Sequence, residues 1–400
     1  MRIAAAHAHE ASEAEAIDAA IAELCDQLDG SPDLLILGAA CHHEMATFSA
    51  RLDKRLPDTT TIGTTSYQGV MTDDGFHRRP SLALWGLRDP DGVYGSALVA
   101  IDDAPRQAAA HAVERAIEDA GRCGEMPSVI WLHCAPGQEE RVIAGIEDVI
   151  GRQVPILGGS SADDDIAGRW QQMANHQSSS EGIAIAALYP SVEPVYSFHS
   201  GYEPTGHSAT VTDCQGRIVW TLDERPAAEV YHEWTDGSAP TQADHDSDQF
   251  FQQSIFFPLG RRLHSQHNGA SFLLSHPRRV VDGGGLELFN EVALGDDLIL
   301  MTGDEDSLAS RAGRVTSSAL DIYGLSADDI AGGLVVFCAG CLSTITDRTD
   351  DIIDSLHQSL RHTPFMGLFT LGEQGCFIDG QNRHGNLMVS SLLFRRSPAD

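Results

Sequence analysis

Short polar stretches rich in glycine and hydroxyl residues interrupt the apolar runs of this sequence, and each could contact a small molecule. Thr64 and Ser66 follow one apolar run, and Ser160 and Ser161 follow another, directly after two glycines. Glycine lets a backbone approach a ligand closely, and hydroxyl groups offer hydrogen-bonding atoms on short side chains. These stretches predict a site for a small polar molecule. The alternative is that the glycines serve tight turns and the hydroxyls bond to nearby backbone.

The thiols offer a second kind of chemistry. Cys338 and Cys341 have the spacing of a redox dithiol and follow an apolar run. We predict the next helix at residues 350–360, too far away for its N-terminus to lower a thiol pKa. The eight cysteines are spread along the whole chain, which predicts free thiols, mostly buried, and no disulfide framework. A thiol-dependent enzyme acting through Cys338 stays the less favoured alternative.

Other catalytic motifs are incomplete in this sequence. The loop at residues 158–163 lacks the lysine of a phosphate-binding P-loop, and the acidic run at residues 163–165 lacks the spacing of a calcium loop. Lys54 is the single lysine, in a polar helical stretch, which argues against Schiff-base chemistry. A Ser-His-Asp arrangement stays open, although the Gly-x-Ser-x-Gly motif is missing. We therefore predict that the protein is not an enzyme.

Histidine is abundant, with 18 residues in the chain. A histidine can ligate a metal ion or a haem iron, but a single one is more often a surface or core polar residue. The candidates are His42, His43, His133, His199, His207 and His384. No metal is predicted, and the cofactor is left open, with haem as one possibility.

A repeated pattern predicts how these residues are positioned. Each of three copies has an apolar run, a helical stretch, a second apolar run ending in a polar break, and a returning apolar run. The copies comprise residues 34–37, 44–56, 59–63 and 82–87; residues 128–134, 138–150, 154–157 and 182–189; and residues 334–338, 350–360, 365–370 and 386–394. A further helix at residues 304–322 is predicted to be capped by Asp304.

These units predict an α/β fold with mixed sheets, in which the helices cover the sheets. A strand–helix–strand step places its two strands parallel, and the returning strand is expected to pair antiparallel. We place a domain boundary near Leu222, which gives one domain over residues 1–221 and another over residues 222–400. Because ligands sit beyond the carboxyl ends of parallel strands, we expect the polar breaks of the three units to face one shared site.

Charge and hydropathy limit the partners. The formal net charge is −32, from 26 basic and 58 acidic residues. Nucleic acids and anionic membranes require clustered basic residues, so neither is an expected partner. The acidic, lysine-poor composition is typical of solubility in high salt; an acidic partner-binding face is the alternative. Apolar runs are too short to span a bilayer and no secretory signal is recognisable, so we expect a cytoplasmic location.

The sequence resembles the FIST sensory proteins, whose two parts are called FIST N and FIST C. The similarity extends over nearly the whole chain, with the motifs in the same order. The matching motifs are IGTTS (residues 62–66), PILGGSSAD (155–163), GYEPTG (201–206) before residues 211–212, residues 222–223, PAAEVY (226–231), VFCAG (336–340), and residues 372–373 and 384–386. One departure is Cys341, where the family commonly has an arginine, which puts a carboxylate-binding role there in doubt.

The resemblance implies a FIST N-like domain, a FIST C-like domain and binding of a small ligand, with amino acids proposed for many members. It also implies an alternative, because some members resemble haem-binding nitric-oxide sensors that regulate histidine kinases or cyclic-dinucleotide enzymes. With no output domain in evidence, we predict a stand-alone sensor that relays binding to a separate partner. The predicted ligand-binding residues are Cys41, His42, Gly63, Thr64, Ser66, Gly158, Gly159, Ser160, Ser161, Asp163, Cys338, Cys341, Glu373, His384 and Asn386.

Overall fold

The same succession of elements occurs three times along the chain: an edge strand, a helix, a strand, a helical segment, a strand, a two-stranded hairpin and a returning strand. We call these copies repeat 1 (residues 2–88), repeat 2 (93–189) and repeat 3 (194–395). Repeat 3 also contains an insertion at residues 203–302. The structure is a computed structural model that describes residues 1–9, 12–243, 248–263 and 271–397.

Repeat 1 begins with an edge strand and a capped helix that precede the predicted unit. Its elements are β1 (Arg2–Ala8), α1 (Glu13–Leu28), β2 (Leu34–Ala40), α2 (Met45–Arg55), β3 (Thr60–Ser66), β4 (Gly69–Thr72), β5 (Gly75–Arg78) and β6 (Leu82–Arg88). Ser12 is the N-cap of α1, because its side-chain oxygen accepts a hydrogen bond from the Glu15 backbone N–H.

Repeat 2 has the same elements in the same order. They are β7 (Val93–Ala100), α3 (Pro105–Asp119), β8 (Val129–Cys134), α4 (Glu139–Ile150), β9 (Ile156–Ser160), β10 (Gln172–Ala174), β11 (Gln177–Ser179) and β12 (Gly182–Tyr189). Pro105 occupies the first turn of α3, where its missing N–H removes no helical hydrogen bond.

The insertion follows the edge strand β13 (Pro194–His199) of repeat 3 and forms its own antiparallel sheet. Its elements are β14 (Glu203–Gln215), β15 (Ile218–Leu222), β16 (Arg225–Pro226), α5 (Ala227–Trp234), α6 (Asp248–Ser254), β17 (Leu259–Leu263), β18 (Ser271–Ser275), β19 (Pro277–Val281), β20 (Gly285–Leu288) and β21 (Asp297–Thr302). Leu222, near which the domain boundary is predicted, is the last residue of β15 and lies within the insertion.

Repeat 3 resumes after the insertion with the helix predicted from Asp304. Its remaining elements are α7 (Glu305–Tyr323), a short 3-10 turn (Ala327–Asp329), β22 (Ile330–Cys338), α8 (Ala339–Thr344), α9 (Thr349–Leu360), β23 (Phe365–Thr370), β24 (Gly372–Cys376), β25 (Asn382–Gly385) and β26 (Val389–Arg395). Asp304 caps α7, because its Oδ1 accepts from the Ser307 N–H at 2.7 Å. Among the described residues, no helix is both long and apolar enough to cross a membrane.

Each repeat builds a mixed sheet of the kind that the sequence predicts. The pairs β2/β3, β8/β9 and β22/β23 are parallel. The returning strands β6, β12 and β26 pair antiparallel with the first strand of each pair. The predicted α/β class with mixed sheets is therefore confirmed.

The hairpins leave their own repeats and complete neighbouring sheets. Hairpin β4–β5 of repeat 1 pairs with β23 of repeat 3, β24–β25 of repeat 3 pairs with β9 of repeat 2, and β10–β11 of repeat 2 pairs with β3 of repeat 1. We call these the exchanged hairpins. Sequence analysis missed them, because strands of three to five residues carry no signal of which sheet they join.

The main core lies between the three sheets. Trp85, Trp131 and Phe394 come from the three different sheets and are buried in one cluster. The outer faces of the sheets are covered by helices: α1 and α2 on the first sheet, α3 and α4 on the second, and α7 and α9 on the third. The strands β2, β8 and β22 are apolar along nearly their whole length because both faces of each sheet are buried.

Candidate functional site

The polar breaks of the three repeats meet at the centre of the molecule, as their position at the ends of parallel strands predicts. Each break donates one backbone hydrogen bond to a neighbouring repeat. These bonds run from Tyr67 N to Phe369 O (3.0 Å), from Leu371 N to Ser160 O (3.1 Å) and from Ala162 N to Thr65 O (3.1 Å). The strand ends therefore contact one another directly.

Several predicted ligand residues take part in this junction. Thr64 Oγ1 donates to Ser161 Oγ at 2.6 Å, which joins repeat 1 to repeat 2. Ser66 Oγ accepts from Phe369 N at 2.9 Å, which joins repeat 1 to repeat 3. Gly159 is needed because a β-carbon there would lie 2.5 Å from Thr370 Cγ2. These residues hold the repeats together.

An open cleft lies beside the junction, at the carboxyl end of β2. It has a volume of about 750 Å³ and is walled by repeat 1, the loop after β9 and the exchanged hairpin β10–β11. Its lining residues are Cys41, His42, Glu44, Ala46, Arg79, Asp164, Arg169, Trp170, Gln171 and residues 178–180. We call it the repeat 1 cleft. A volume of this size is typical of small-molecule sites.

Charges of both signs line the repeat 1 cleft. Arg79 Nη1 lies 2.5 Å from Asp164 Oδ2, and the carboxylate is only 13% exposed while the guanidinium is 60% exposed. Asp164 Oδ1 accepts from Gln68 N at 2.7 Å. Arg169 pairs with Asp165 at 2.7 Å. The cleft thus presents guanidinium groups with spare donors beside a nearly buried carboxylate.

Three further groups define its walls. Burial and the neighbouring Asp164 raise the pKa of the Cys41 thiol, so Cys41 is a neutral donor. His42 is exposed, and its ring stands 4.1 Å from that of His43, whose Nδ1 lies 3.2 Å from Glu13 Oε1. Trp170 Nε1 is buried without a hydrogen-bond partner.

The corresponding place in repeat 2 holds a buried polar network, in which His384 Nε2 and Gln374 Oε1 have no hydrogen-bond partner. Arg217 from the insertion donates to both Glu139 and Glu140 at 2.8 Å. Ser160 Oγ donates to Glu139 Oε1 at 3.0 Å, while His384 Nδ1 contacts Gln374 Nε2 at 3.3 Å. Because the serine proton goes to a carboxylate and the imidazole faces an amide, the geometry is not that of a Ser-His-acid nucleophile.

The corresponding place in repeat 3 holds a buried guanidinium. Arg311 of α7 is fully buried; Nη1 donates to Leu387 O at 2.8 Å, but Nε and Nη2 have no partner. Glu373 is also fully buried and accepts from Thr370 Oγ1 and Met388 N, each at 3.0 Å. Burial raises the pKa of Glu373 well above its usual range. The Met388 N–H, the Arg311 guanidinium and the Thr370 hydroxyl act in the opposite direction and lower the pKa of Glu373.

The dithiol of repeat 3 corrects one prediction. A helix, α8, begins at Ala339 directly after Cys338, whereas the sequence pattern placed the next helix at residue 350. Burial raises the pKa of Cys338. Burial alone would also raise the pKa of Cys341, but the Cys338 hydrogen bond and the Arg311 guanidinium outweigh it, so the pKa of Cys341 is lowered. Of the two thiols, Cys341 is therefore the more acidic.

The structure thus divides the predicted ligand residues among several places. Cys41 and His42 line the repeat 1 cleft; Thr64, Ser66, Gly159 and Ser161 lie at the junction; Gly63 is paired with Met173 within the first sheet; Gly158, Ser160 and His384 lie where repeat 2 meets the exchanged hairpin β24–β25; and Cys338, Cys341 and Glu373 surround Arg311. Asp163 Oδ2 accepts from Ala167 N and Arg169 N and shapes the loop beside the cleft. Asn386 is buried with an unpartnered Oδ1.

Sequence reasoning missed the charged groups on other elements. Arg311 carries a detectable signal, because it lies on the apolar face of α7 between Leu308 and Val315, both buried. Arg79 and Arg217 carry none, because each comes from an element that belongs to a distant part of the chain. Arg311 also brings to Cys341 a guanidinium that this position itself lacks.

The repeat 1 cleft does not fit a haem. Haem is a large apolar ring with an axial ligand, and the cleft beside His42 is lined by Glu44, Arg79 and Asp164. His133 and His384 are buried in packed positions, each with a hydrogen-bond contact to a ring nitrogen.

The chain is similar to one curated protein over part of its length and to one solved structure. An uncharacterised protein of Methanocaldococcus jannaschii is 28% identical over 142 residues, which are 35% of this chain; the match spans 25% of that relative. The crystal structure of a cyanuric acid hydrolase from A. caulinodans aligns with 99% of both chains at 10% identity and a TM-score of 0.41.

The family match covers most of the chain. Residues 33–225 match the FIST N domain and residues 227–376 match the FIST C domain. FIST domains are sensory domains of signalling proteins. On these two matches, the chain belongs to the FIST family.

Proposed function

We propose that this protein is a sensor whose repeat 1 cleft binds a small zwitterionic or carboxylate-bearing molecule, and that binding is relayed to a separate signalling protein. The observation that carries the proposal is the pairing of a cleft of about 750 Å³ with both guanidinium and carboxylate groups in its walls. Guanidinium groups bind carboxylates in a bidentate way. An amino group of the same ligand would bind the carboxylates of Asp164 and Glu44, which also line the cleft.

The walls of the repeat 1 cleft come from several parts of the fold, which supports a relay of ligand binding through the protein. The cleft is formed by residues of repeat 1 and by the loop and hairpin of repeat 2. Arg79 directly follows β5, which belongs to the third sheet. A ligand that engages Arg79 and competes for its bond to Asp164 therefore acts on segments of all three sheets. A ligand can shift a conformational equilibrium only through such differential contacts.

The test is thermal-shift screening in high salt with amino acids and other small carboxylates. A ligand at a hundredfold its Kd stabilises the folded state by about 2.7 kcal/mol, so the melting temperature should rise. Ala46 is exposed and lines the cleft, so Ala46→Trp should fill the space and abolish the shift. Thr47→Trp is the control, because Thr47 is its exposed neighbour on α2 and does not line the cleft.

A second pair of variants tests the charge. Arg79→Ala should weaken the thermal shift, because it removes a guanidinium from the wall. Arg106→Ala is matched to it, because Arg106 is also 60% exposed and pairs with an aspartate, Asp148, at 2.6 Å but lies outside the cleft. If no compound raises the melting temperature, or if Ala46→Trp leaves the shift unchanged, the proposal is wrong.

A further inference from the structure

Three histidines meet where the first strand of the chain approaches an exchanged hairpin. His7 is in β1, His9 follows it, and His77 is in β5. One ring nitrogen of each can be chosen so that all three atoms lie within 4.8 Å of one another. The rings of His7 and His77 are stacked, with centroids 3.6 Å apart. This cluster is separate from the repeat 1 cleft and its lining residues.

The outward nitrogens of two rings are already held by hydrogen bonds. His9 Nδ1 lies 3.0 Å from Pro80 O, which fixes Nδ1 as the protonated nitrogen and leaves Nε2 free. His77 Nε2 lies 2.7 Å from Thr72 Oγ1, which leaves Nδ1 free. Metal-binding histidines typically use their second nitrogen in this way, since the bond fixes the tautomer and the ring orientation.

The third ring has an open position. His7 Nδ1 is buried without a hydrogen-bond partner, and the Asp74 carboxylate lies 4.0 Å from it. Three imidazole nitrogens suit zinc and similar transition-metal ions and do not suit calcium or magnesium. We propose that His7, His9 and His77, with the Asp74 carboxylate beside His7, form a binding site for one divalent transition-metal ion of the zinc class.

The rings of the three histidines lie close together before any ion binds. His7 and His77 are stacked with centroids 3.6 Å apart, and the His9 ring centroid lies 5.5 Å from that of His77 and 5.6 Å from that of His7. Ligation requires one change in geometry, because stacked rings do not point their lone pairs at a common centre. Binding tilts the His7 ring out of its stack with His77, towards Asp74.

The metal would join β1 of the first sheet to hairpin β4–β5, which belongs to the third sheet. The test uses untagged protein freed of metal by a chelator and titrated with Co²⁺, whose visible absorption reports tetrahedral nitrogen ligands. We expect one ion per chain and displacement by Zn²⁺. His9→Ala should weaken Co²⁺ binding at least about tenfold; because His9 is exposed, this variant should fold.

His111→Ala is the control, because His111 is another exposed histidine with a carboxylate, Glu114, at 4.0 Å. It should leave Co²⁺ binding unchanged. Absence of the absorption band in the wild-type protein at micromolar Co²⁺ would overturn the proposal. Equal affinity in wild type and His9→Ala would overturn it as well, because the ion would then be held by scattered surface histidines.

Discussion

The Arg311 guanidinium carbon stands 4.3 Å from the centre of the Phe337 ring. A cation on an aromatic face gains electrostatic stabilisation, and in this position it replaces the anion that a buried charge ordinarily requires. Arg311 Nε and Nη2 have no partner of their own. Packing against Phe337 and the hydrogen bond to Leu387 O are therefore the contacts that stabilise the Arg311 side chain in the core.

Replacing Arg311 by a flexible apolar side chain should be nearly neutral for stability. A buried charge carries a desolvation penalty, and well-packed apolar replacements of buried ionic groups are often neutral or stabilising. We expect Arg311→Met to lie within about 1 kcal/mol of wild type and Arg311→Ala to lose about 3 kcal/mol through the cavity it leaves. Urea denaturation measures both. A loss above about 3 kcal/mol for Arg311→Met would mean that a bound anion pairs with Arg311.

The carboxylate of Glu139 should make stability depend on pH. Burial alone would raise its pKa, but His384 and Arg217 outweigh burial and lower the pKa of Glu139 to about 2. A lowered pKa contributes stability above the ordinary value near 4.5, and that contribution is lost as pH falls towards 2. Glu139→Gln should therefore cost about 3 kcal/mol at pH 7.

The same difference should narrow below about pH 4.5, because the carboxyl group of the unfolded chain then becomes protonated, while that of the folded protein stays charged until about pH 2. Glu114→Gln is the control, because Glu114 is 63% exposed and should show little effect at any pH. The free energy of unfolding of wild type and both variants, measured from pH 7 to pH 3, tests this prediction. A difference between wild type and Glu139→Gln that stays constant over this range would contradict the assignment.

Gly158 should tolerate no side chain. Its φ is +144°, and a β-carbon there would lie 2.0 Å from Leu132 O. Gly75 has a similar φ of +140° but nothing within 4 Å of such a β-carbon. Both alanine variants carry the backbone strain, and only Gly158→Ala adds overlap with a neighbouring strand. We expect Gly158→Ala to lose at least about 2 kcal/mol more than Gly75→Ala in chemical denaturation; equal losses would mean that β8 and β9 separate easily.

The dithiol should react slowly in the native protein. Cys338 and Cys341 are buried, and burial raises the pKa of Cys338. Cys123 is exposed and serves as the internal control. At neutral pH, iodoacetamide should label Cys338 at least about a hundredfold more slowly than Cys123, as followed by peptide mass spectrometry. Comparable rates would revive the thiol-dependent enzyme as a function.

The repeats were predictable because each parallel strand is apolar on both faces, as Leu34 to Leu37 and Leu334 to Phe337 illustrate. Their polar ends were predictable from the glycines and hydroxyls that follow. Sequence pattern could not indicate that Thr64 would bond to Ser161, because that contact depends on how one repeat faces another. Arg79 was missed for the same reason. It directly follows β5 of an exchanged hairpin and lines the cleft only because of how that hairpin packs.

The exchanged hairpins also say something about ancestry. A peptide one third as long, with the same fold, would have an unsatisfied sheet edge and a projecting ribbon, and three copies could satisfy one another in a closed trimer. Joining such copies end to end would yield the present arrangement without new contacts. The polar residues of the three repeats could then diverge separately. This accounts for the repeat 1 cleft, the polar network around Glu139 and the buried Arg311 in a single polypeptide.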